Sequence, residues 1–241
     1  MKINLYFTPG EFQEEDLRDS TAVVVDVLRA STTICYALKN RCREIIPAAE
    51  VEEAVRLARQ WQADDVLLCG EREGQRIEGF DLGNSPLEYK RSVVEDKILV
   101  HSSTNGSFVL VKAKASLKTY VAGFVNLQAV VKALLENGES VVILCAGKLG
   151  RFSIEDAVCA GMIVKSLQQH DAKIQIADSA VAAKILFEKY SSNILGLLQN
   201  CEHGRYLISL GLMKDLEVCA QVSTIDVVPT YRDGVIKKNM R

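Results

Sequence analysis

Residues 70–86 form the loop in which the side chains best suited to chemistry are concentrated. This loop combines several glycines with Glu71, Arg72 and Asp81, and it follows an apolar run at 66–69 that predicts a buried strand. Loops that leave buried strands are where α/β enzymes place catalytic groups. The alternative is a solvated connection without function. We favour function because two more polar loops of the same type follow other predicted strands.

An acidic residue, Asp26, ends the valine-rich run 22–27. A carboxylate is costly to bury there unless it is paired or binds a metal ion. Arg29 could supply the pairing; alternatively, Asp26 ligates a divalent cation while Arg29 holds an anionic oxygen through its planar fork. Ser31 and Thr32 follow at the start of a predicted helix, where they could bind an anion or simply cap the helix.

Two further polar loops follow predicted strands. Residues 102–107 offer four hydroxyls, an amide and a glycine at a strand-to-helix turn, which suits either a phosphate or sulfonate group or a simple helix cap. In the loop 145–156, Ser153 and Asp156 have the spacing of a capping box. That interpretation explains Asp156 but leaves Glu155 as either a metal ligand or an exposed side chain.

The candidate residues are therefore carboxylates, arginines and glycine–hydroxyl turns. The three histidines lack metal-binding spacing, and Cys145 has no histidine nearby in the sequence, so no Ser–His or Cys–His pair is indicated. This set favours metal-assisted chemistry on a phosphorylated small molecule. A non-catalytic protein that binds a phosphorylated or sulfonated metabolite, or a Mg²⁺-dependent lyase or phosphotransferase, would use many of the same groups.

Apolar runs alternate with amphipathic segments along the whole chain. This alternation predicts an α/β fold with a three-layer α/β/α architecture and a mostly parallel sheet covered by helices on both faces. Strands are predicted at 22–27, 45–47, 66–69, 97–101, 118–122 and 140–145, and an edge or crossover element within 218–227. Helices are predicted at 34–38, 51–61, 86–89, 108–115, 126–136, 153–170, 179–190, 193–200 and 202–210.

The predicted sheet brings the four polar loops together. Because the carboxyl ends of parallel strands lie along one edge, we expect the loops that start at Asp26, Gly70, Ser102 and Ala146 to converge on one crevice. A weak boundary near Gly123 divides the chain into an N-terminal α/β half, 1–122, and a C-terminal α/β half, 123–241.

Bulk properties argue against several classes of protein without removing them. The net charge of −2 over 241 residues gives no reason to expect a nucleic acid or an anionic membrane as partner. The seven scattered cysteines indicate buried thiols in a reducing compartment. We expect no signal peptide in residues 1–7, no membrane span and a cytoplasmic location.

Several motifs together resemble the 2-phosphosulfolactate phosphatase family, in order and over residues 3 to about 235. The GFDLGNSP segment is the most specific of them. The family usually has three threonines before its Asn–Gly pair, where this chain has Ser102, Ser103 and Thr104. The motifs are 25–33 (VDVLRASTT), 70–72 (GER), 79–86 (GFDLGNSP), 104–106 (TNG), and 145–147 (CAG) with 152–157 (FSIEDA).

The resemblance implies a Mg²⁺-dependent phosphatase that hydrolyses 2-phospho-3-sulfolactate to 3-sulfolactate and phosphate. In methanogens this step belongs to coenzyme M synthesis. It also implies an α/β fold of two similar halves with the site between them. The expected partner is a small anionic phosphorylated substrate, and a homodimer is an open alternative to a monomer.

These considerations assign roles to individual residues. We predict Asp26, Arg29, Glu71 and Asp81 as catalytic, and Asp26, Glu71, Asp81 and Glu155 as candidate Mg²⁺ ligands. Arg29 and Arg72 would neutralise the phosphate and sulfonate charges. The predicted substrate-binding residues are Ser31, Thr32, Arg72, Asn84, Ser103, Thr104, Asn105, Gly106 and Gly147.

Overall fold

The apolar runs form the strands of one sheet in the computed structural model, which describes residues 1–239. The eleven strands of this part are β1 (Lys2–Tyr6), β2 (Ser20–Val25), β3 (Glu44–Pro47), β4 (Val66–Arg72), β5 (Gln75–Arg76), β6 (Ile98–Ser102), β7 (Lys118–Ala122), β8 (Ser140–Cys145), β9 (Gln175–Ile176), β10 (Pro229–Arg232) and β11 (Val235–Lys238). Their order in the sheet is β5-β4-β6-β3-β11-β10-β7-β2-β8-β1-β9.

Two parallel blocks make up most of this sheet. The first block is β4-β6-β3, with the short β5 antiparallel at its edge, and the second is β7-β2-β8-β1-β9. The hairpin of β10 and β11 joins them through antiparallel pairs with β7 and β3. The mostly parallel sheet of the prediction is thereby confirmed.

Helices cover both faces of the sheet. They are α1 (Ala30–Lys39), α2 (Val51–Ala58), α3 (Arg91–Val94), α4 (Gly106–Lys112), α5 (Leu127–Asn137), α6 (Ile154–His170), α7 (Asp178–Tyr190), α8 (Ile194–Asn200), α9 (Glu202–Ser209) and α10 (Met213–Cys219). Short 3₁₀ turns lie at Glu14–Leu17, Pro86–Glu88, Ala113–Ala115 and Phe124–Asn126. Within residues 1–239, none of these helices combines the length and apolar character needed to cross a bilayer.

The core shows why the strands read as continuous apolar runs. Alternate residues of a strand point to opposite faces of a sheet, so a strand covered on both faces must be apolar throughout. On β2, Val23 and Val25 belong to the apolar cluster that includes Val130 of α5, whereas Ala22 and Val24 belong to the one that includes Ile34 of α1. These two clusters establish the three-layer α/β/α architecture.

The C-terminal hairpin is the main departure from the predicted elements. The segment 218–227 is the end of α10 followed by coil, so the strand or crossover predicted there is wrong. The strands lie further on, at β10 and β11, around a turn at Asp233 and Gly234, both with positive φ. An Asp–Gly pair between short β-prone segments is a strong hairpin signal, and it was present in the sequence.

The hairpin also sets the relative direction of the two blocks. Because β7, β10, β11 and β3 are successively antiparallel, the first block runs opposite to the second along the sheet. In a flat sheet the carboxyl ends of the two blocks would face opposite edges. The sheet is not flat, however. A twist of about 20° per strand accumulates over the five steps from β2 to β6, so the two sets of carboxyl ends do not simply face opposite edges. The β11–β3 contact itself rests on one residue pair, Ile236 and Ile45.

The predicted division of the chain between residues 122 and 123 stays a prediction. Strands from both sides of it lie in the second block, because β2 pairs with β7 on one side and with β8 on the other. The prediction that the cysteines are buried thiols is confirmed: all seven are buried and none forms a disulfide.

Candidate active site

A cavity of about 370 Å³ lies where the predicted loops meet. The loops after β2, β4, β6 and β8 all contribute to its wall, so the expected convergence is present and the cavity draws on both blocks of the sheet. Helix α9 contributes one further side of the wall. The lining residues are Asp26, Leu28, Arg29, Glu71, Glu73, Gly74, Asn84, Thr104, Asn105, Lys148, Leu149, His203, Tyr206 and Leu207.

Asp26 lies at the carboxyl end of β2 and is only 5% exposed. Its Oδ1 accepts a hydrogen bond from the backbone N–H of Ala30 over 3.3 Å. Burial raises the pKa of Asp26 to about 6; the nearby His203 opposes this rise, and the negative charge of Glu71 adds to it. Of the alternatives for Asp26, pairing with Arg29 is wrong, because the guanidinium contacts a different carboxylate.

Arg29 is buried and held by two partners from distant parts of the chain. Its Nη1 donates to Oδ2 of Asp215 over 2.6 Å, and its Nη2 donates to the carbonyl oxygen of Gly74 over 2.7 Å. Oδ1 of Asp215 accepts a second hydrogen bond, from the hydroxyl of Ser85, over 2.6 Å. Asp215 thus fixes a positive charge in the cavity wall. No motif in the sequence marks Asp215, since it is one acid within the short helix α10.

Glu71 joins two of the loops. Its Oε1 accepts from the backbone N–H of Thr104 and its Oε2 from that of Gly74, each over 2.8 Å. The Thr104 hydroxyl is also buried, and among the buried side-chain nitrogen and oxygen atoms of residues 1–239 it is the one without a hydrogen-bond partner. A buried, unsatisfied hydroxyl is unfavourable by roughly 1–3 kcal/mol, so a ligand oxygen in the cavity would stabilise it.

Two amides complete the polar wall. Asn84 is buried, and its Oδ1 lies 3.3 Å from Nε2 of His101. Asn105 reaches across the cavity mouth, where its Oδ1 accepts from the backbone N–H of Leu149 over 2.9 Å. Asn84 and Asn105 therefore both line the cavity, as predicted for substrate-binding residues, while their side chains also tie neighbouring loops together.

The buried His101 predicts a pH dependence of stability. Burial lowers the pKa of His101 from 6.5 to about 4. Between these values the unfolded chain binds a proton that the folded protein does not, so this residue costs stability as the pH falls from about 6.5 towards 4. Relative to His101→Gln, the wild-type free energy of unfolding should fall by about 3 kcal/mol between about pH 7.5 and pH 4 in urea titrations.

The matched control for this experiment is His170→Gln, because His170 is exposed at the end of α6. That variant should keep the wild-type dependence on pH. Parallel curves for wild type and His101→Gln would show that His101 does not titrate as a buried group.

Several predicted site residues lie outside the cavity wall. Arg72 donates to the carbonyl oxygens of Glu71 and Ala49 and to the hydroxyl of Ser102. Its guanidinium therefore holds the loop 70–86 in place. Asp81 is exposed, and its Oδ2 accepts from the backbone N–H of Leu68, in the middle of β4. Both residues support the loop 70–86 and do not line the cavity.

The hydroxyls predicted to bind substrate mostly satisfy their own turns. The Oγ of Ser31 accepts from the backbone N–H of Asp26, and the hydroxyl of Thr32 is 3.5 Å from the carbonyl oxygen of Val27. The hydroxyl of Ser103 is 3.2 Å from that of Ser107. These side chains bond to nearby backbone groups or to each other, as short hydroxyl side chains readily do, but neither α1 nor α4 has a side-chain capping bond at its N-cap.

The structure does not contain the capping box that was predicted for Ser153 and Asp156. The Ser153 side chain makes no capping bond at the start of α6, so the proposed capping box is absent. Asp156 is instead buried, and it accepts from the backbone N–H of Val27 over 2.8 Å and from that of Gly147 over 3.0 Å. Gly147, a predicted substrate ligand, thus serves to join the loops after β2 and β8.

The side of the cavity formed by α9 was missed by the sequence analysis. Nδ1 of His203 lies 3.4 Å from Oε1 of the buried Glu155. Burial acts to raise the pKa of Glu155, but the hydrogen bond and charge of His203 outweigh it and lower the pKa. Tyr206, one turn later, donates its hydroxyl to the carbonyl oxygen of Glu73 over 2.9 Å. Glu155 therefore pairs with His203 and does not line the main cavity.

Comparison with known proteins agrees with this arrangement. A family model described as 2-phosphosulpholactate phosphatase matches residues 6–234, nearly the whole chain. The chain belongs to this family. The match confirms the family that the motifs suggested, over nearly the same residues.

Relatives from several bacteria cover the chain almost completely. A protein of Clostridium beijerinckii is 37% identical over 236 residues, which are 98% of this chain and 99% of that protein. One of Clostridium acetobutylicum is 36% identical over 98% of this chain and 100% of its own length. One of Thermotoga petrophila is 41% identical over 89% of this chain and 90% of its own. Each is named as a probable 2-phosphosulfolactate phosphatase.

The arrangement of the acids determines which of them could hold the predicted Mg²⁺. Within residues 1–239, no three His, Cys, Asp or Glu side chains are grouped so as to hold a metal ion by themselves. The four predicted acids do not meet, because Asp81 is exposed and Glu155 pairs with His203. Asp26 and Glu71 do share the cavity. Since Mg²⁺ is usually held by one or two carboxylates together with water and substrate phosphate, this pair fits the ion.

Gly106 of the Thr–Asn–Gly motif is required by close packing. A Cβ at this position would lie 2.7 Å from Oδ2 of Asp26 and 2.9 Å from Cβ of Ala30. Gly106→Ala should therefore displace Asp26, destabilise the protein by about 1–3 kcal/mol and lower phosphatase activity about 100-fold. Urea unfolding and phosphate release check both effects. Gly10→Ala is the control, since nothing lies within 4 Å of the added atom, and equal behaviour of the two variants would contradict the prediction.

Proposed function

We propose that this protein is a Mg²⁺-dependent phosphatase that hydrolyses 2-phospho-3-sulfolactate to 3-sulfolactate and inorganic phosphate. Membership of the family and the names of its relatives support the reaction class and the substrate. The observation that carries the proposal is the cavity, in which two buried carboxylates, a fixed guanidinium and an unsatisfied hydroxyl face the same space.

Arg29 and Thr104 are suited to the phosphate group. The guanidinium of Arg29 is held in place by Asp215 and Gly74, so little side-chain freedom is lost when it binds a phosphate oxygen. The hydroxyl of Thr104 gains a partner when it donates to another oxygen of the same group. Preorganised donors of this kind stabilise the charge that builds up on the phosphoryl oxygens in the transition state.

Asp26 and Glu71 would hold Mg²⁺ in this proposal. When bound, the ion would neutralise phosphate oxygens and lower the pKa of a coordinated water. In the overall reaction the oxygen of a water molecule forms a bond to phosphorus, the bond from phosphorus to the C2 oxygen breaks, and that oxygen takes up a proton. Arg29 and Thr104 keep the phosphorus in position throughout.

The test is an assay of phosphate release from a panel of phosphorylated acids, with Mg²⁺ and with a chelator. We expect release from 2-phospho-3-sulfolactate that exceeds release from phosphoglycolate and 2-phospholactate and that the chelator abolishes. Calorimetric binding of the substrate without any phosphate release would instead identify a non-catalytic binding protein. Release that is unchanged by the chelator would contradict the proposed role of Mg²⁺.

A cytoplasmic location and a homodimer remain part of the proposal. The seven buried, unbridged thiols support a reducing compartment. Size-exclusion chromatography with light scattering determines the number of subunits.

A further inference from the structure

The proposed substrate needs more than one positive group. Besides the phosphate it carries a carboxylate and a sulfonate, and the sequence analysis gave the second cation as Arg72. The structure places the donors of Arg72 on Ala49, Ser102 and its own neighbour, outside the cavity. Lys148 is the lysine that lines the cavity together with Arg29.

A tight turn holds Lys148 in place. Lys148 and Arg151 exchange two backbone hydrogen bonds, of 2.9 and 3.0 Å, across Leu149 and Gly150, whose φ angles are 51° and 73°. The backbone N–H of Leu149 also donates to Asn105, on the loop after β6. The backbone that carries Lys148 is therefore fixed to the loop after β6, which also lines the cavity.

The ammonium group of Lys148 has partners that leave it available to a ligand. Its Nζ lies 3.2 Å from Oε1 of Glu202 and 5.1 Å from the centre of the Tyr206 ring. The Glu202 side chain is 83% exposed, whereas that of Lys148 is 22% exposed. An ion pair with so exposed a partner contributes little, so an anion in the cavity can replace Glu202 at small cost.

Arg29 and Lys148 occupy different flanks of the cavity. Arg29 also borders a second cleft that includes Gln75 and Ser85, and Lys148 also borders a third cleft that includes Arg151. These two side clefts share no lining residue. The two cations therefore lie on different sides of the same cavity, as the binding of two separate anionic groups requires.

We propose that Lys148, whose ammonium lies over the ring of Tyr206, forms a subsite for the sulfonate of the substrate while Arg29 binds the phosphate. A guanidinium presents a planar fork that matches phosphate, whereas an ammonium is a compact point charge that needs no fixed geometry from its anion. The sulfonate spreads one charge over three oxygens and suits the ammonium. This inference rests on the proposed function and assigns the residue that selects the sulfonated substrate.

The test compares Lys148→Met with wild type on two substrates, 2-phospho-3-sulfolactate and 2-phospholactate, which lacks the sulfonate. We expect kcat/KM for the sulfonated substrate to fall by about 10- to 100-fold, mainly through KM, because a charge-assisted contact is lost. With 2-phospholactate the change should be less than about 3-fold. Equal losses on both substrates would overturn the subsite, because Lys148 would then act on the phosphate, the carboxylate or the fold.

Glu202→Gln is the matched control, since it removes the exposed partner of Lys148 and keeps the ammonium. It should leave kcat unchanged and leave KM for the sulfonated substrate unchanged or lower. A rise in KM as large as that of Lys148→Met would mean that the ion pair itself, and not the free ammonium, is required, and would also overturn the subsite.

Direct binding separates this inference from the proposed function. If wild type releases no phosphate from either compound, the proposed function fails, and calorimetry with 3-sulfolactate and lactate then tests the subsite alone. Wild type should bind 3-sulfolactate at least about 10-fold more tightly than Lys148→Met does, and neither protein should prefer lactate. Equal affinity of the two proteins for 3-sulfolactate, or no binding by wild type, would overturn the subsite.

Discussion

Asp26→Asn is expected to lower kcat/KM for 2-phospho-3-sulfolactate by at least about 100-fold in the presence of Mg²⁺. The change keeps the shape of the side chain and removes the negative charge that would hold the cation. The variant should remain folded, because burial already disfavours the ionised form and raises the pKa of Asp26 to about 6. Measurements of phosphate release and of unfolding in urea check the two parts of this prediction.

The matched control is Asp81→Asn. Sequence analysis gave Asp26 and Asp81 the same role, but Asp81 is exposed and does not line the cavity. Its variant should retain activity within about 3-fold of wild type, because exposed substitutions away from the site have small effects. A correctly folded Asp26→Asn protein with near-wild-type turnover would remove Asp26 from the mechanism, and a large loss in Asp81→Asn would show that the loop 70–86 contributes to catalysis.

The elements could be predicted because local patterns determine them. The polar loops do meet as expected, but the premise that all the strand ends share one edge was wrong, because the two blocks run in opposite directions. A strand covered on both faces must be apolar along its length, and the polar residues that follow it must lie at its end. These patterns predict that Asp26, Glu71, Thr104 and Asn105 lie near one another, and all four line the cavity. The relative direction of the two blocks was harder to predict from the sequence, since it depends on a hairpin at 229–238 that connects distant strands.

The individual roles within the loops were harder to predict, because a polar side chain near a turn has many local partners. The side chains of Ser31 and Asp156 have oxygens that could bind a ligand. These oxygens already accept hydrogen bonds from backbone N–H groups. The hydrogen bonds that buried polar groups require favour such local solutions. Composition identifies which loops line the cavity, and only the three-dimensional contacts distinguish a residue facing the cavity from one that secures the loop.

Residues from the C-terminal part were missed for a related reason. Lys148 lies in a loop whose place was predicted, but it shows no motif spacing. The contribution of His203 and Tyr206 depends on how α9 packs over the strand ends. Asp215 is further removed still, because it acts on Arg29 across 186 residues of sequence. Contacts over such separations are set by tertiary packing, which the local pattern of a single sequence does not encode.

The largest effect on stability is expected where this long-range contact is broken. Arg29→Met leaves the carboxylate of Asp215 buried and without its counter-charge, since both side chains are about 3% exposed. Loss of one member of a buried ion pair typically costs about 3–5 kcal/mol. The free energy of unfolding in urea should fall by that amount, and phosphate release should fall at least about 100-fold because the phosphate loses its guanidinium.

A double variant distinguishes the two roles of Arg29. In Arg29→Met with Asp215→Leu no charge is left buried, and apolar replacements of a buried pair are often neutral in stability. We expect most of the lost stability to return, short of about 1–3 kcal/mol for the hydroxyl of Ser85 and the carbonyl of Gly74, which lose their partners. Activity should remain as low as in the single variant. Recovery of activity along with stability would mean that Arg29 only maintains the fold, whereas recovery of stability alone identifies its guanidinium as the group that contacts phosphate.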